Sequence, residues 1–259
     1  MKKILLLVFV LFGMESVFAE CSMNGMQFFP EQKEIPLHSK FIIQGYALSQ
    51  KTITSFKNRT VYLESESGEL IVLNLQELLT GKMELTQAIF SPASALKPNT
   101  IYFLNYSDQT ENEGREMMQY NRVKNVREKV YWKTTDQNFV ESLPTNLTLV
   151  FEKTAVIHYG CGPHANAIFE IKNKPVGEIW YKTEVIELET NTKTVFYIKE
   201  ENGKLHVGHD MCSGAFTFKN KGTYQVRFTP MNIDGQSLKT TDWISFVSPF
   251  ANDKSRFGN

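Results

Sequence analysis

Four of the five histidines in this chain gather around two of its three cysteines. His158, Cys161 and His164 are spaced three and three, and His206, His209 and Cys212 repeat the spacing. Imidazole and thiolate are the ligands that zinc and copper favour, so the pattern is a candidate metal centre. On a strand, side chains three apart face opposite ways and those six apart share a face. His158 can therefore converge with His164, and His206 with Cys212, but all six groups cannot meet. In an oxidising compartment the default partner of a cysteine is another cysteine, and a disulfide excludes thiolate ligation. The reading adopted is a Cys161–Cys212 disulfide with incidental histidines; closing that loop of about fifty residues is worth about 4 kcal/mol in the chain-entropy model. The alternatives are a weak zinc or copper site on His158, His164, His206 and His209 beside the disulfide, or a thiolate site. Cys21 is left over, as a free thiol, an intermolecular partner or a lipidated residue. Glu20 stands before it, where lipidation needs a small residue.

Other chemistry is sparse. There is no G-x-S-x-G elbow, H-E-x-x-H helix or glycine-rich phosphate loop. Cys161 beside a histidine has the make-up of a thiol nucleophile, but the disulfide is preferred. Trp132, Trp180 and Trp243 lie in apolar runs and are expected as core anchors rather than as a sugar-binding platform.

The compartment follows from the leader. Lys2 and Lys3 precede the apolar run Ile4–Phe12, and Val17-Phe18-Ala19 presents a cleavage signal, so residues 1–19 are expected to be a secretory signal peptide. The run is too short to span a bilayer, and no second apolar segment approaches that length, so no transmembrane segment is expected in the mature chain. The 28 basic and 28 acidic residues balance, which leaves no field to attract nucleic acid or an anionic membrane. The protein is expected to be exported: periplasmic, in the outer envelope or extracellular.

The elements that must position these groups are strands. Lys40–Ala47, Thr60–Glu64, Leu70–Leu75, Thr86–Ser91, Thr100–Tyr106 and Lys129–Thr134 alternate apolar and polar residues over strand lengths. Gln76–Lys82 reads as a helical turn or a loop. Asp108–Glu128 reads as a solvated excursion and a place for a partner to touch. After a polar connector over Thr135–Pro144, a second series runs through Asn146–Glu152, Asn166–Lys172, Glu178–Glu189, Thr194–Lys199, Lys204–His209, Ala215–Phe218, Tyr224–Thr229 and Trp243–Val247. Asn202-Gly203 between two of these runs signals a tight hairpin. Short strands at this spacing predict an all-β fold of two tandem antiparallel sandwiches, over 24–134 and 145–250.

Leu96-Lys97-Pro98-Asn99-Thr100-Ile101-Tyr102 resembles the L-x-P-x-T-x-Y segment of bacterial Ig-like and fibronectin-III-like domains, in which the tyrosine is pinned at a sheet corner. Trp132-Lys133-Thr134 resembles their closing strand. Gly222-Thr223-Tyr224-Gln225-Val226, with Asp234-Gly235 after it, is similar to their G-x-Y-x-V strand and turn. The resemblance implies architecture, not activity. Tyr159-Gly160-Cys161-Gly162-Pro163-His164 looks like the copper loop of plastocyanin-type proteins, but Phe169 stands where their methionine ligand would be, and the loop lies early in its domain instead of late. The expectation is a non-catalytic exported protein acting in interaction, adhesion or spacing, with an unknown protein or glycan partner and no cofactor. A metal-binding envelope protein using the four histidines is the first alternative, and an unrecognised hydrolase the second.

Overall fold

The alternating runs become strands, and each series closes into a layered unit. The computed structural model describes residues 21–121, 124–135 and 143–253. The leader expected over 1–19 and most of the connector lie outside the described residues.

The first series comprises β1 (Asn24–Phe29), β2 (Glu34–Ile35), β3 (Phe41–Ala47), β4 (Val61–Ser65), β5 (Leu70–Thr80), β6 (Leu85–Pro92), β7 (Ile101–Tyr106), β8 (Met118–Asn121), β9 (Val126–Lys129) and β10 (Tyr131–Thr134). Eight of them run in the order β1-β3-β6-β5-β4-β7-β10-β2, antiparallel except for the β10–β2 pair. β5 joins the two layers. Its first residues pair with β4, and after a register shift between Leu75 and Glu77 it continues along β6. An extra residue at that point bends the strand from one layer to the other. The Phe41 ring on β3 meets Trp132 on β10 edge-on at 4.8 Å, across the core. A short helix α1 (Gln50–Ser55) follows β3 and buries Ile53. Gly45 has to be small there, because a Cβ would sit 2.4 Å from Ile53.

The second series is β11 (Thr148–Tyr159), β12 (Gly162–Lys172), β13 (Ile179–Glu187), β14 (Thr192–Glu201), β15 (Lys204–His209), β16 (Thr223–Asn232) and β17 (Ile244–Val247), ordered β11-β12-β15-β14-β13-β16-β17. β14 pairs with β13 over its length but reaches β15 only at Glu200 and Glu201, next to the hairpin. The sheet therefore folds there, and Phe169 on β12 packs edge-on against Phe228 on β16 at 5.0 Å. Asn202 and Gly203 take the positive φ, 52° and 78°, that this tight turn requires. The fold is all-β, two tandem antiparallel sandwiches with Ig-like strand order.

Both resembling motifs pin a tyrosine. Tyr102 is buried, and its hydroxyl accepts the Lys97 N–H at 2.9 Å. Tyr224 does the same for the Lys219 N–H, also at 2.9 Å. The Thr134 hydroxyl accepts from Thr100 N–H at 2.9 Å and donates to the Lys97 carbonyl at 2.5 Å, fastening the closing strand to the same corner.

Four expectations need correction. Gln76–Lys82 is mostly strand, because β5 continues through its bulge to Thr80. Asp108–Glu128 is not a plain loop. A helix α2 (Glu111–Glu116) is started by a Thr110–Glu113 capping box, and the β8–β9 hairpin follows. Arg59 secures that helix through Glu113 at 2.6 Å. Ala215–Phe218 forms no strand; its backbone bonds go elsewhere, as described below. Trp243 is half-exposed, with the Arg227 guanidinium 4.5 Å above its ring, whereas Trp132 and Trp180 are buried as expected.

Replacing Tyr102 or Tyr224 by Phe leaves a backbone N–H without its partner. Each substitution should lower unfolding free energy by about 1–3 kcal/mol, read from urea titration. A loss below about 0.5 kcal/mol at both sites would show that the corners do not hold the fold.

Candidate functional site: the cleft between the sandwiches

β3 and β6 carry the continuous apolar runs Phe41-Ile42-Ile43 and Ala88-Ile89-Phe90, all buried. A strand buried on one face alternates, so a continuous run means that both faces are covered. One face lines the first core. The other packs on the second sandwich, where Trp180, Tyr197, Met231 and Ile233 belong to the same buried cluster as Ile42 and Ile89.

Polar groups fix how the two surfaces meet. Gln27, Gln44 and Gln87 are paired across β1, β3 and β6, so their side chains form one row on that face. Gln44 donates to Gln27 at 2.8 Å, and Gln87 donates to Gln44 at 2.8 Å. Gln87, only 2 % exposed, also takes both backbone groups of Tyr197: its amide nitrogen donates to the Tyr197 carbonyl at 2.8 Å, and its oxygen accepts the Tyr197 N–H at 3.1 Å. The Tyr197 hydroxyl donates to Glu77 at 2.8 Å, and Lys182 pairs with the same carboxylate at 2.6 Å. Burial, reinforced by that carboxylate, pushes the Tyr197 hydroxyl far above its ordinary range, so it remains a donor. Glu178 receives the Glu31 N–H at 2.7 Å and the Trp180 indole N–H at 2.8 Å.

The backbones are also joined. Lys82 N–H donates to the Ala215 carbonyl at 3.0 Å, while Met83 and Gly214 exchange bonds at 3.0 and 2.8 Å. Gly214 and Ala215, the latter expected to open a strand over Ala215–Phe218, thus serve the junction. The disulfide joins Cys21 to Cys212, with Cα atoms 5.7 Å apart, and Cys161 is free. The expected Cys161–Cys212 pairing is corrected accordingly. The bridge spans 191 residues of sequence and depends on how the sandwiches pack, so spacing within the second half could not reveal it.

Between the sandwiches lies a cleft of about 600 Å³, lined by the glutamine row together with Phe29, Tyr197 and Lys199. Gln27 is exposed, Gln44 half-buried and Gln87 buried, so the amides lead from solvent inward. Lys199 lies over the Phe29 ring at 5.0 Å and pairs with Glu31 at 2.6 Å, closing one wall. A second cavity of about 400 Å³ shares Gln27, Gln44 and Leu85 with the cleft and reaches Cys212. No glutamine was singled out from the sequence. The missed signal was polar residues at corresponding places in runs otherwise apolar on both faces.

The four histidines do not form one ligand set. His158 Nε2 lies 2.7 Å from an Asp253 carboxylate oxygen. His209 is buried, with Nδ1 2.8 Å from the Asp210 carbonyl oxygen and its ring beside Phe250. His164 and His206 share the outer face of β12 and β15. Burial pushes His206 below its ordinary pKa against the opposing pull of Glu201, and His164 adds to the depression. Among the described residues, no three His, Cys, Asp or Glu groups are arranged to hold a metal ion. The alternative of a shared zinc or copper site on His158, His164, His206 and His209 therefore gains no support from these positions. The His158–Asp253 pair lines neither cavity between the sandwiches.

No family model matches the chain, and no curated protein matches it in sequence. Among solved structures, it is similar to a pullulanase from Anoxybacillus at 7% identity and TM-score 0.25, covering 82% of this chain and 24% of that one. A cytokine receptor complex aligns at 10% identity and TM-score 0.27, over 89% and 99% of the two chains. A DUF4785 family protein from Legionella pneumophila aligns at 9% identity and TM-score 0.22, over 90% and 59%. The chain spans about a quarter of the pullulanase, and likeness this remote assigns no activity.

Gln87→Ala should orphan both Tyr197 backbone groups and cost about 1–3 kcal/mol for each. Urea unfolding should then separate into two transitions; a single transition at the wild-type midpoint would contradict the role given to this amide. For His206, the unfolded chain takes up the proton first. Its contribution to stability therefore falls as pH drops below the ordinary value of 6.5 through the lowered folded-state pKa. His206→Gln should flatten the decline of urea midpoints between neutral and mildly acidic pH.

Proposed function

We propose that the protein is a non-catalytic, exported recognition protein. Its two sandwiches act as one rigid body, and the cleft between them takes an extended polypeptide segment of a partner. The observation that carries this reading is the row Gln27–Gln44–Gln87 entering the cleft. The buried Gln87 is committed to Tyr197, but the exposed Gln27 and the half-buried Gln44 keep donor and acceptor capacity beyond the bonds within the row, which suits the N–H and C=O groups of a peptide main chain. Phe29 adds an apolar wall for side chains. Because the junction is already packed, little ordering is required on binding. Support for export comes from a disulfide, which fits an oxidising compartment.

The test is a paired screen of a displayed random-peptide library and a glycan array, with wild type and Gln44→Arg compared. The reading expects peptide binding that Gln44→Arg weakens by at least about tenfold, equivalent to about 1.4 kcal/mol. Glycan binding lost on the same substitution would replace the polypeptide with a sugar. Binding indifferent to Gln44→Arg, or none in either screen, would overturn the assignment to the cleft.

A further inference from the structure

Cys161 lies at the tip of the β11–β12 hairpin, where Tyr159 pairs with Gly162. It is partly exposed and free. The tip rests on the turn that carries the disulfide: a Cβ at Gly162 would lie 3.2 Å from the Met211 carbonyl oxygen and 3.9 Å from its Cα. Cys161 precedes Gly162 and Cys212 follows Met211, so each sulfur-bearing residue is one step from this contact. β12 and β15 pair up to Ala165 opposite His209, so the turn that follows His209 and the β11–β12 tip lie at the same end of the sheet. Glycines flank Cys161 on both sides. Gly160 has nothing within 4 Å of where its Cβ would be, and Gly162 has a φ of +147° that side chains rarely adopt, so the tip has room and backbone freedom to turn.

We propose that Cys212 exchanges between two disulfide partners, Cys21 in the state described here and Cys161 in a second state. The Cys161 thiolate attacks Cys212 Sγ along the S–S axis. The Cys161–Cys212 bond forms as the Cys21–Cys212 bond breaks, and Cys21 leaves as a thiolate that takes up the proton Cys161 gave up. One disulfide and one thiol are present before and after, so no oxidant or reductant is consumed. The exchange releases the segment leading into β1. That segment supplies Ser22 to the lining of the 400 Å³ cavity, beside Gly25 and Met26 of β1 itself and with Asp210, Cys212 and Ser213 of the second sandwich. Cys21 is therefore the removable end of a strap along the approach to the cleft.

The experiment is disulfide mapping of the full chain. Oxidised protein is held at mildly alkaline pH, quenched with acid, alkylated in denaturant, digested without reductant and read by mass spectrometry. Wild type should yield both Cys21–Cys212 and Cys161–Cys212 peptides. Cys21→Ser, refolded in a glutathione buffer, should lose both alkylatable thiols to a Cys161–Cys212 bridge. Cys161→Ser should hold only Cys21–Cys212. If Cys21→Ser fails to fold, wild type alone decides. Exclusive Cys21–Cys212 pairing in wild type, or a folded Cys21→Ser whose Cys161 and Cys212 both stay alkylatable, overturns the proposal.

Discussion

The side-chain amide of Gln87 is the constraint on which the arrangement of the two sandwiches depends. β14 pairs with β13 along one side, but its other side leaves β15 after Glu200 and faces the first sandwich. A strand edge buried against protein must find partners for its N–H and C=O groups or pay their desolvation. Gln87 supplies both at Tyr197, standing in for one residue of a neighbouring strand. The sheets therefore stay separate while their registry is fixed. Apolar burial of Trp180, Tyr197 and Met231 is indifferent to small slips, whereas a displaced amide would leave both Tyr197 backbone groups unpaired.

That registry passes outward. Gln87 is oriented by Gln44, and Gln44 by Gln27, so strand pairing in the first sandwich determines where an atom of the second must sit. Sandwiches joined only by a linker would be expected to move relative to one another. Here movement would expose Ile42 and Ile89 and break the Glu77 and Glu178 networks together. The cleft is therefore a fixed feature of the molecule, its width set by side chains on both walls.

The architecture was legible because it is written in local patterns. Two-residue alternation found most strands, Asn202-Gly203 marked a hairpin, and the likeness of Leu96–Tyr102 marked the corner at Tyr102, whereas Tyr224 was placed only on a strand and its corner bond to Lys219 appears in the structure. What was lost depends on contacts between distant segments. β1 and β2 were not recognised, because Asn24–Phe29 has little alternation and Glu34–Ile35 is two residues long. The strand after Gln76 was hidden by a bulge, which shifts the alternation by one. The apolar runs on β3 and β6 did carry a signal of double-sided burial, but nothing local says which surface covers the second face. The cysteines illustrate the same limit. Cys161 is nearer to Cys212 in sequence than Cys21 is, and its neighbour Gly162 approaches Met211, yet the bridge goes to Cys21, brought in by packing of the first sandwich on the second.

The segment from Gly208 to Phe216 shows why sequence patterns fail at such junctions. The Asp210 carboxylate accepts the N–H groups of Cys212 and Ser213, both at 2.6 Å, and so shapes a turn in place of a strand. Gly214 then folds back onto His209 so closely that a Cβ would lie 2.2 Å from the His209 Cβ, while its N–H and carbonyl cross to Met83. Phe216 returns its N–H to the Gly208 carbonyl at 3.2 Å. One short stretch thus closes its own sheet, joins the other sandwich and presents Cys212 to the chain leading into β1. Its composition is set by close approach and turn geometry rather than by facing one core, so it has no regular period to read. Any change in the partner of Cys212 acts on a turn already fixed by Asp210, and its effect falls on the side of the bridge that is not so held: Cys21 and the strand behind it.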